Sequence, residues 1–269
     1  MEYPSFIVSA FRMLNFRNTT VFFAVTLICM LGVGWYHPFS SFFYLIPLFV
    51  YSLILFYGSY AVHSSFYIPV QCAARTEEKS IAISFDDGPD PAHTPAILEL
   101  LEKTGVKAAF FCIGKNIPGR EDLLRKIDRE GHLIGNHSYS HHFWFDLFSA
   151  GRMYADMKLM DQLTFEATGL TPRLFRPPYG VTNPNLKKAI RRGDYIPIGW
   201  SIRSMDTVIR DEKRLLQKIT KDLKPGAIVL FHDTGSATLS ILPAFIHYVK
   251  ARGYEIIRLD KLLKLEPYA

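Results

Sequence analysis

Hydrophobic and polar positions along the chain fall into two regimes that change over near Arg75. From Asn18 to Ala74 there is no Asp, Glu, Lys or Arg. Within that stretch Thr20 to Tyr36 and Phe42 to Tyr60 are apolar runs of 17 and 19 residues, close to the roughly 20 that carry a helix across a bilayer core. The breaker His37-Pro38-Phe39-Ser40-Ser41 separates them, so the pattern predicts a transmembrane helical hairpin. Aromatic residues gather at the run ends (Trp35, Tyr36, Phe42, Phe43, Tyr44, Phe56, Tyr57, Tyr60), where amphipathic rings favour the lipid–water interface. A secretory signal fits less well, because the run starts late, lacks a small-x-small cleavage site and is followed by a second run. A buried core helix, or a re-entrant segment broken at Gly32, Gly34 and Pro47, are the other readings. Residues 1–75 are thus expected to anchor a multi-pass protein in the cell membrane, with the lipid bilayer as a partner.

Beyond Arg75 short apolar runs alternate with amphipathic, charged segments. Strands are predicted over Ser80–Phe85, Lys107–Ile113, Leu133–Asn136, Leu174–Arg176, Tyr195–Trp200, Ala227–Phe231 and Glu255–Arg258. Helices are predicted over Thr94–Lys103, Glu121–Glu130, Ser149–Thr168, Asn183–Arg192, Glu212–Leu223 and Leu239–Ala251. Regular strand–helix alternation argues for a parallel sheet, open or closed into a barrel. The chemically capable side chains decide between these: Asp86-Asp87, His137 with His141, Arg176, Asp206 and His232 each follow a strand. In a βα barrel such ends converge on one rim, where barrel active sites are built. The expectation for residues 76–269 is one α/β domain, a distorted barrel of seven or eight βα units.

Charge adds little. The chain has 31 basic and 25 acidic residues, a net +6; without residues 1–75, which hold Arg12, Arg17, Arg75 and Glu2, it has 28 and 24, a net +4. That excess is too mild, and too scattered, to imply nucleic acid. Cys29, Cys72 and Cys112 form neither a disulfide framework nor a CxxC metal knuckle.

The candidate chemistry is more telling. Ile81-Ala82-Ile83-Ser84-Phe85-Asp86-Asp87-Gly88-Pro89 puts adjacent carboxylates after an apolar strand, which alone would read as a solvated turn. His137-Ser138-Tyr139-Ser140-His141 spaces two imidazoles four residues apart, which on a helical turn would face one way. A His pair plus a carboxylate is a common divalent-metal set.

With these two elements and three more, the sequence resembles the polysaccharide deacetylases of the NodB homology type, carbohydrate esterase family four. The resemblance runs from about Ser80 to the C-terminus. It rests on five ordered motifs: Ser84-Phe85-Asp86-Asp87-Gly88-Pro89, His137 to His141, Arg176-Pro177-Pro178-Tyr179-Gly180, Trp200 through Asp206, and Leu230-Phe231-His232. It implies a distorted βα barrel and metal-dependent removal of acetyl groups from sugars. By motif, Asp86 would be the catalytic base, and Asp87, His137 and His141 the ligands of a divalent metal, zinc first, with cobalt, nickel or manganese as alternatives. Arg176 would pair with the base and hold it ionised. His232 would be the general acid, kept protonated by Asp206. Tyr179 would offer its backbone N–H to the oxyanion, and Trp200 and Leu230 would line an acetyl-methyl pocket.

Two positions depart from the family pattern: Arg203 stands where an Asp is common, and Thr207 where an aromatic is common. Arg203 is read either as a binder of an acidic group near the acetamide, such as a lactyl carboxylate, a uronic acid or a lipid-linked phosphate, or as a surface arginine. The expected substrate is an N-acetylated glycan or glycolipid. Competing readings are a deformylase or other amide hydrolase acting on a lipid-linked sugar, a non-catalytic carbohydrate binder, and a non-haem iron oxygenase, which also uses two His and a carboxylate. Arg12 and Arg17 favour a cytoplasmic N-terminus, and two crossings return the barrel to that side, whereas polymeric glycan lies outside. The sequence leaves the membrane face, the physiological glycan and the oligomeric state open.

Overall fold

The computed structural model describes residues 14–269. Eight strands form the centre of the molecule: β1 (Ser80–Asp86), β2 (Ala109–Cys112), β3 (Leu133–Asn136), β4 (Leu174–Phe175), β5 (Ile196–Pro197), β6 (Ile202–Arg203), β7 (Ile228–His232) and β8 (Glu255–Ile256). They pair in parallel in the order β5-β4-β3-β2-β1-β7-β6, with β8 on the first residues of β1. Helices cover the sheet, among them Thr94–Thr104, Glu121–Arg129, Ala150–Thr168, Pro184–Gly193, Glu212–Lys221 and Ser236–Ala251. This is the distorted βα barrel expected from the chemically capable residues at the strand ends.

Alternation along the strands sorts the side chains. In β1, Ile81, Ile83 and Phe85 join the layer shared with the helices, while Ala82 belongs to a second cluster with Ala109, Phe111, Leu133, Leu174 and Ile228 in the barrel interior. Two-residue periodicity then places Ser84 and Asp86 on the interior face above Ala82. The same rule sends Val229 and Phe231 outward and leaves Leu230 and His232 inside. Gly135 of β3 has a packing reason: a Cβ there would lie 2.5 Å from the Phe111 ring.

The barrel is incomplete where β5 and β6 fail to meet. Tyr195–Trp200 does not form the single strand expected; it pairs with β4 only at Ile196–Pro197, leaves that ladder, and the chain re-enters the sheet as β6, which the pattern did not predict. Pro197 lacks an amide hydrogen, and the next carbonyls, Ile198 and Gly199, accept from the Arg176 guanidinium at 3.4 and 3.0 Å. The segment around Gln71–Ala73 makes single bridges to Ile198 and Ala227. A short final helix, Leu259–Leu263, was likewise not foreseen.

Among the described residues two helices precede the barrel, from Phe16 to Tyr36 and from Phe42 to Tyr60, and both are long and apolar enough to cross a membrane. Their contact includes a hydrogen bond between Thr20 Oγ1 and the Tyr51 hydroxyl, 2.8 Å, and the Phe23–Tyr51 ring pair. A core helix would bury its apolar face; here Phe22, Ile28, Leu31, Phe42, Phe49 and Phe56 are all more than half exposed. The first helix starts at Phe16, earlier than the apolar run, because Asn15 caps it by accepting from the Asn18 amide. Arg12, one of the two arginines behind the expected orientation, lies outside the described residues.

Candidate active site

The strand ends of the barrel surround a cavity of about 190 Å³ lined by Asp86, Asp87, His137, His141, Tyr179, Trp200, Arg203, Leu230 and His232, together with Pro177, Gly180 and Thr207. Arg176 and Asp206 stand behind this lining, each against one of its members. All eleven residues singled out in the sequence therefore meet at one rim.

The carboxylate of Asp87 and the two imidazoles come together by loop geometry. Asp87 has φ 79°, Ser138 φ 65° and His141 φ 42°, left-handed conformations uncommon for residues with a side chain. His137 and His141 are not on a helical turn, as their spacing suggested; the chain between them is irregular. It is pinned instead by Ser138 Oγ accepting from the His141 amide, 3.0 Å, and by Asp156 Oδ1 accepting from the Tyr139 amide, 2.8 Å.

His137 Nε2 and His141 Nε2 lie 3.6 and 3.5 Å from Asp87 Oδ1, and one ligand atom from each of the three residues falls within 4.8 Å of the others. The His137 Nδ1 lies 2.8 Å from the Arg176 carbonyl; a carbonyl only accepts, so Nδ1 carries the proton and Nε2 presents its lone pair. Burial, then repulsion from His141, lowers the His137 pKa to about 3, and burial also lowers that of His141. Two neutral imidazoles and a carboxylate are the protonation state a divalent cation needs, so these residues fit one.

Asp86 is buried beside this group. Arg176 Nη1 donates to Asp86 Oδ1 at 2.6 Å and to Ser84 Oγ at 2.8 Å, while Asp86 Oδ2 lies 3.8 Å from His137 Nε2. Arg176 is fully buried, its guanidinium carbon 4.0 Å from the centre of the Phe111 ring. Arg176 pairs with Asp86 but does not dominate its pKa: burial pushes that carboxyl up, and Arg176 followed by His232 only partly counters it. A raised pKa makes Asp86 a stronger base.

On the opposite flank His232 Nδ1 is 2.7 Å from Asp206 Oδ1, and the His232 amide donates to Asp206 Oδ2 at 2.8 Å. The Thr238 hydroxyl donates to the same Oδ2. Burial pulls the His232 pKa down, but the hydrogen bond and charge of Asp206, joined by Asp86 and Asp87, outweigh it and leave it raised. Asp206 is lowered: its burial is overcome by these donors.

Tyr179 sits in the turn Pro178–Gly180 with φ 58° and packs edge-on to His141, ring centres 4.7 Å apart. Gly180 is required at its place, since φ is 73° and a Cβ would lie 2.5 Å from the Trp200 ring. Arg203 lines the cavity rather than the outer surface, 5.7 Å from the Trp200 ring centre, and its Nε is buried with no hydrogen-bond partner among the described residues. Sequence reasoning missed Ser84, Thr238 and Asp233. Asp233 follows His232, accepts from the Thr94 hydroxyl, and is pushed up to about 7 by burial. None of the three is itself exposed to the cavity, and a hydroxyl in a strand or helix gives no signal of its own.

A family model described as polysaccharide deacetylase matches residues 73–197. A peptidoglycan-N-acetylglucosamine deacetylase of Bacillus cereus is 34% identical over 197 residues, covering 70% of this chain and 89% of that protein. The peptidoglycan-N-acetylglucosamine deacetylase PgdA of Listeria monocytogenes is 33% identical over 200 residues, 74% of this chain. The matched part spans only 42% of that longer protein. Among solved structures, the Bc1960 peptidoglycan N-acetylglucosamine deacetylase superposes with a TM-score of 0.70 at 25% identity, covering 74% of this chain and 95% of that one.

Proposed function

Since this chain belongs to the polysaccharide deacetylase family, we propose that it hydrolyses N-acetyl groups on an amino-sugar glycan or glycolipid of the peptidoglycan kind. In this reading residues 1–75 are a membrane anchor with two crossings and residues 76–269 the catalytic domain. The observation that carries it is the meeting, around one cavity, of a buried carboxylate, a cation-binding trio and a histidine–aspartate pair.

A divalent cation held by Asp87, His137 and His141, zinc first, with cobalt, nickel or manganese as alternatives, would supply Lewis acidity to the acetamide carbonyl and acidify the attacking water. Asp86 takes the proton of that water on Oδ2, because Oδ1 is occupied by Arg176. Tyr179 offers its backbone N–H to the developing oxyanion, while Trp200 and Leu230 enclose the methyl group. His232 has Nδ1 engaged by Asp206, so Nε2 delivers the proton to the sugar nitrogen as the carbon–nitrogen bond breaks, leaving acetate and a free amine.

Arg203 favours a substrate with an acidic group close to the acetamide, because its buried Nε lacks a partner among the described residues and a guanidinium pairs well with a carboxylate or phosphate. Full-length protein in detergent should release acetate from N-acetylated glycan, stop when the cation is chelated, and resume when zinc is returned. Arg203→Ala should weaken a muramic-acid-containing substrate far more than a neutral chitooligosaccharide. Absence of acetate from every N-acetylated glycan or glycolipid would overturn the activity, and equal losses on the two substrates would overturn the role of Arg203.

A further inference from the structure

We propose that the turn Phe143-Trp144-Phe145-Asp146-Leu147 is a lipid-inserting rim that seats the mouth of the active site in the bilayer interface, so that the enzyme works on membrane-borne glycolipid. The inference rests on the anchor and deacetylase readings above and adds to them the place from which substrate arrives.

Three large apolar side chains of this turn face solvent: Phe143 is 66% exposed, Trp144 55% and Leu147 69%. They begin two residues after His141, and the Phe143 ring lies 6.3 Å from that of Tyr179, which lines the cavity. A contiguous exposed apolar patch at the entrance of a site marks a surface that meets another phase or molecule.

What covers it follows from where the hairpin ends. The Thr182 amide donates to the Ser59 carbonyl at 3.0 Å, and its hydroxyl to the Gly58 carbonyl at 3.3 Å. The Phe16 amide donates to the Phe66 carbonyl, 3.1 Å. The second helix is thus held against the barrel at its C-terminal end, two residues from the Pro178–Gly180 turn, and the first is tied to the segment that leads from the hairpin into the barrel. Asp146 and Val181 share a cleft with Leu55, Phe56, Ser59 and Tyr60, and Asn183 Nδ2 donates to the Asp146 carbonyl at 2.6 Å. At about 1.5 Å per residue, Leu55 sits about 7.5 Å along the helix from Tyr60. A span of 19 residues is about 28 Å long and just fills a hydrocarbon core of about 30 Å. The turn therefore lies alongside the last turns of a helix that has no length to spare outside the bilayer. Arg152, whose guanidinium stacks 3.6 Å over the Phe148 ring, adds a cation suited to anionic headgroups. Leu147 offers no face for stacking on a sugar, which favours lipid over a glycan platform.

The test uses the full chain in vesicles of phosphatidylethanolamine and phosphatidylglycerol, with an environment-sensitive fluorophore on one accessible cysteine, the fully buried Cys112 being kept as it is. A label on Leu147→Cys, in a Cys29→Ser, Cys72→Ser background, should show blue-shifted emission quenched by brominated lipid, as should a label on Cys29 itself in a Cys72→Ser background. Aqueous emission at position 147 with lipid-like emission at position 29 overturns the rim and leaves the anchor standing; aqueous emission at both overturns both. The variant Trp144→Ser, Leu147→Ser should lower kcat/KM about tenfold on polyprenyl-linked N-acetylglucosamine in the same vesicles, with no change on soluble N-acetylglucosamine tetramer. An equal loss on the tetramer, carried by KM, assigns the patch to sugar stacking and overturns the inference. If neither substrate yields acetate, the deacetylase reading fails, and the fluorescence still decides the rim.

Discussion

The two flanks of the cavity are built from the same materials and end in opposite electrostatic states. On one, Asp86 pairs with Arg176; on the other, Asp206 pairs with His232, and all four groups are largely withdrawn from water. Yet Asp86 is pushed up from its ordinary value while Asp206 is brought down. The difference lies in how many donors each carboxylate collects. Asp206 accepts from the His232 ring, the His232 amide and the Thr238 hydroxyl. Asp86 accepts from Arg176 Nη1, which it shares with Ser84, while the other two nitrogens of that guanidinium go to the Ile198 and Gly199 carbonyls. Burial penalises both carboxylates, and only a full set of hydrogen bonds reverses the penalty. One flank is thereby left as a proton acceptor and the other as a proton donor.

The largest effect should come from removing the cation on the acceptor flank. Arg176→Ala leaves Asp86 buried without its counter-charge and strands two carbonyls. Breaking a buried pair in this way typically costs about 3–5 kcal/mol. Chemical denaturation should show a loss of that size, and the surviving folded fraction should be close to inactive. Arg176→Lys keeps the charge but cannot reach Asp86, Ser84 and Gly199 together, so it should recover stability more than rate. If Arg176→Ala denatures like the parent, the pair is not what holds this flank.

The donor flank makes a prediction about pH. The rate should follow a bell, with Asp86 setting the acid limb and His232 the alkaline limb. Because Asp206 raises the His232 pKa, His232 stays protonated to higher pH than a free imidazole, and activity persists until pH rises through that value. His232→Ala should lose about 10²–10⁴ in kcat along with the alkaline fall-off. Asp206→Asn removes the charge that does the raising, so the alkaline limb should move to lower pH while the acid limb stays. An alkaline limb that survives in His232→Ala belongs to another group.

How much of this could be read from the chain depends on what each feature requires. The barrel was legible because Ile81, Ile83 and Phe85 alternate with Ala82, Ser84 and Asp86, and because Asp86, His137, Arg176, Asp206 and His232 each come at or shortly after the end of a strand. The metal trio was legible as residue types but not as geometry: the i, i+4 spacing of His137 and His141 suggested a helix, and positive φ at Ser138 and His141 does the work instead. The break between β5 and β6 was hidden, since it depends on carbonyls of Ile198 and Gly199 turning to an arginine more than twenty residues earlier in the chain. Arg203 was ambiguous for the same reason: whether an arginine in a two-residue strand points in or out is a matter of register. The docking of Ser59 to Thr182 had no sequence signal at all.

The smallest effect, and the finest probe of the contrast between the flanks, is Thr238→Val. The hydroxyl donates to Asp206 Oδ2 from the helix that follows His232, and it touches neither cation ligand nor cavity. Valine keeps the shape and removes one of the three donors. The depression of Asp206 should weaken, its negative charge, less shared, should hold the His232 imidazolium slightly more tightly, and the alkaline limb should move up a little, opposite in sign to the Asp206→Asn shift. A net hydrogen bond to a charged group is worth about 1.5–3 kcal/mol, so the folded state should also lose up to that amount. A stability loss with an unmoved alkaline limb would show that Thr238 fastens the helix but does not tune the acid, and that the His232–Asp206 pair alone sets the donor state.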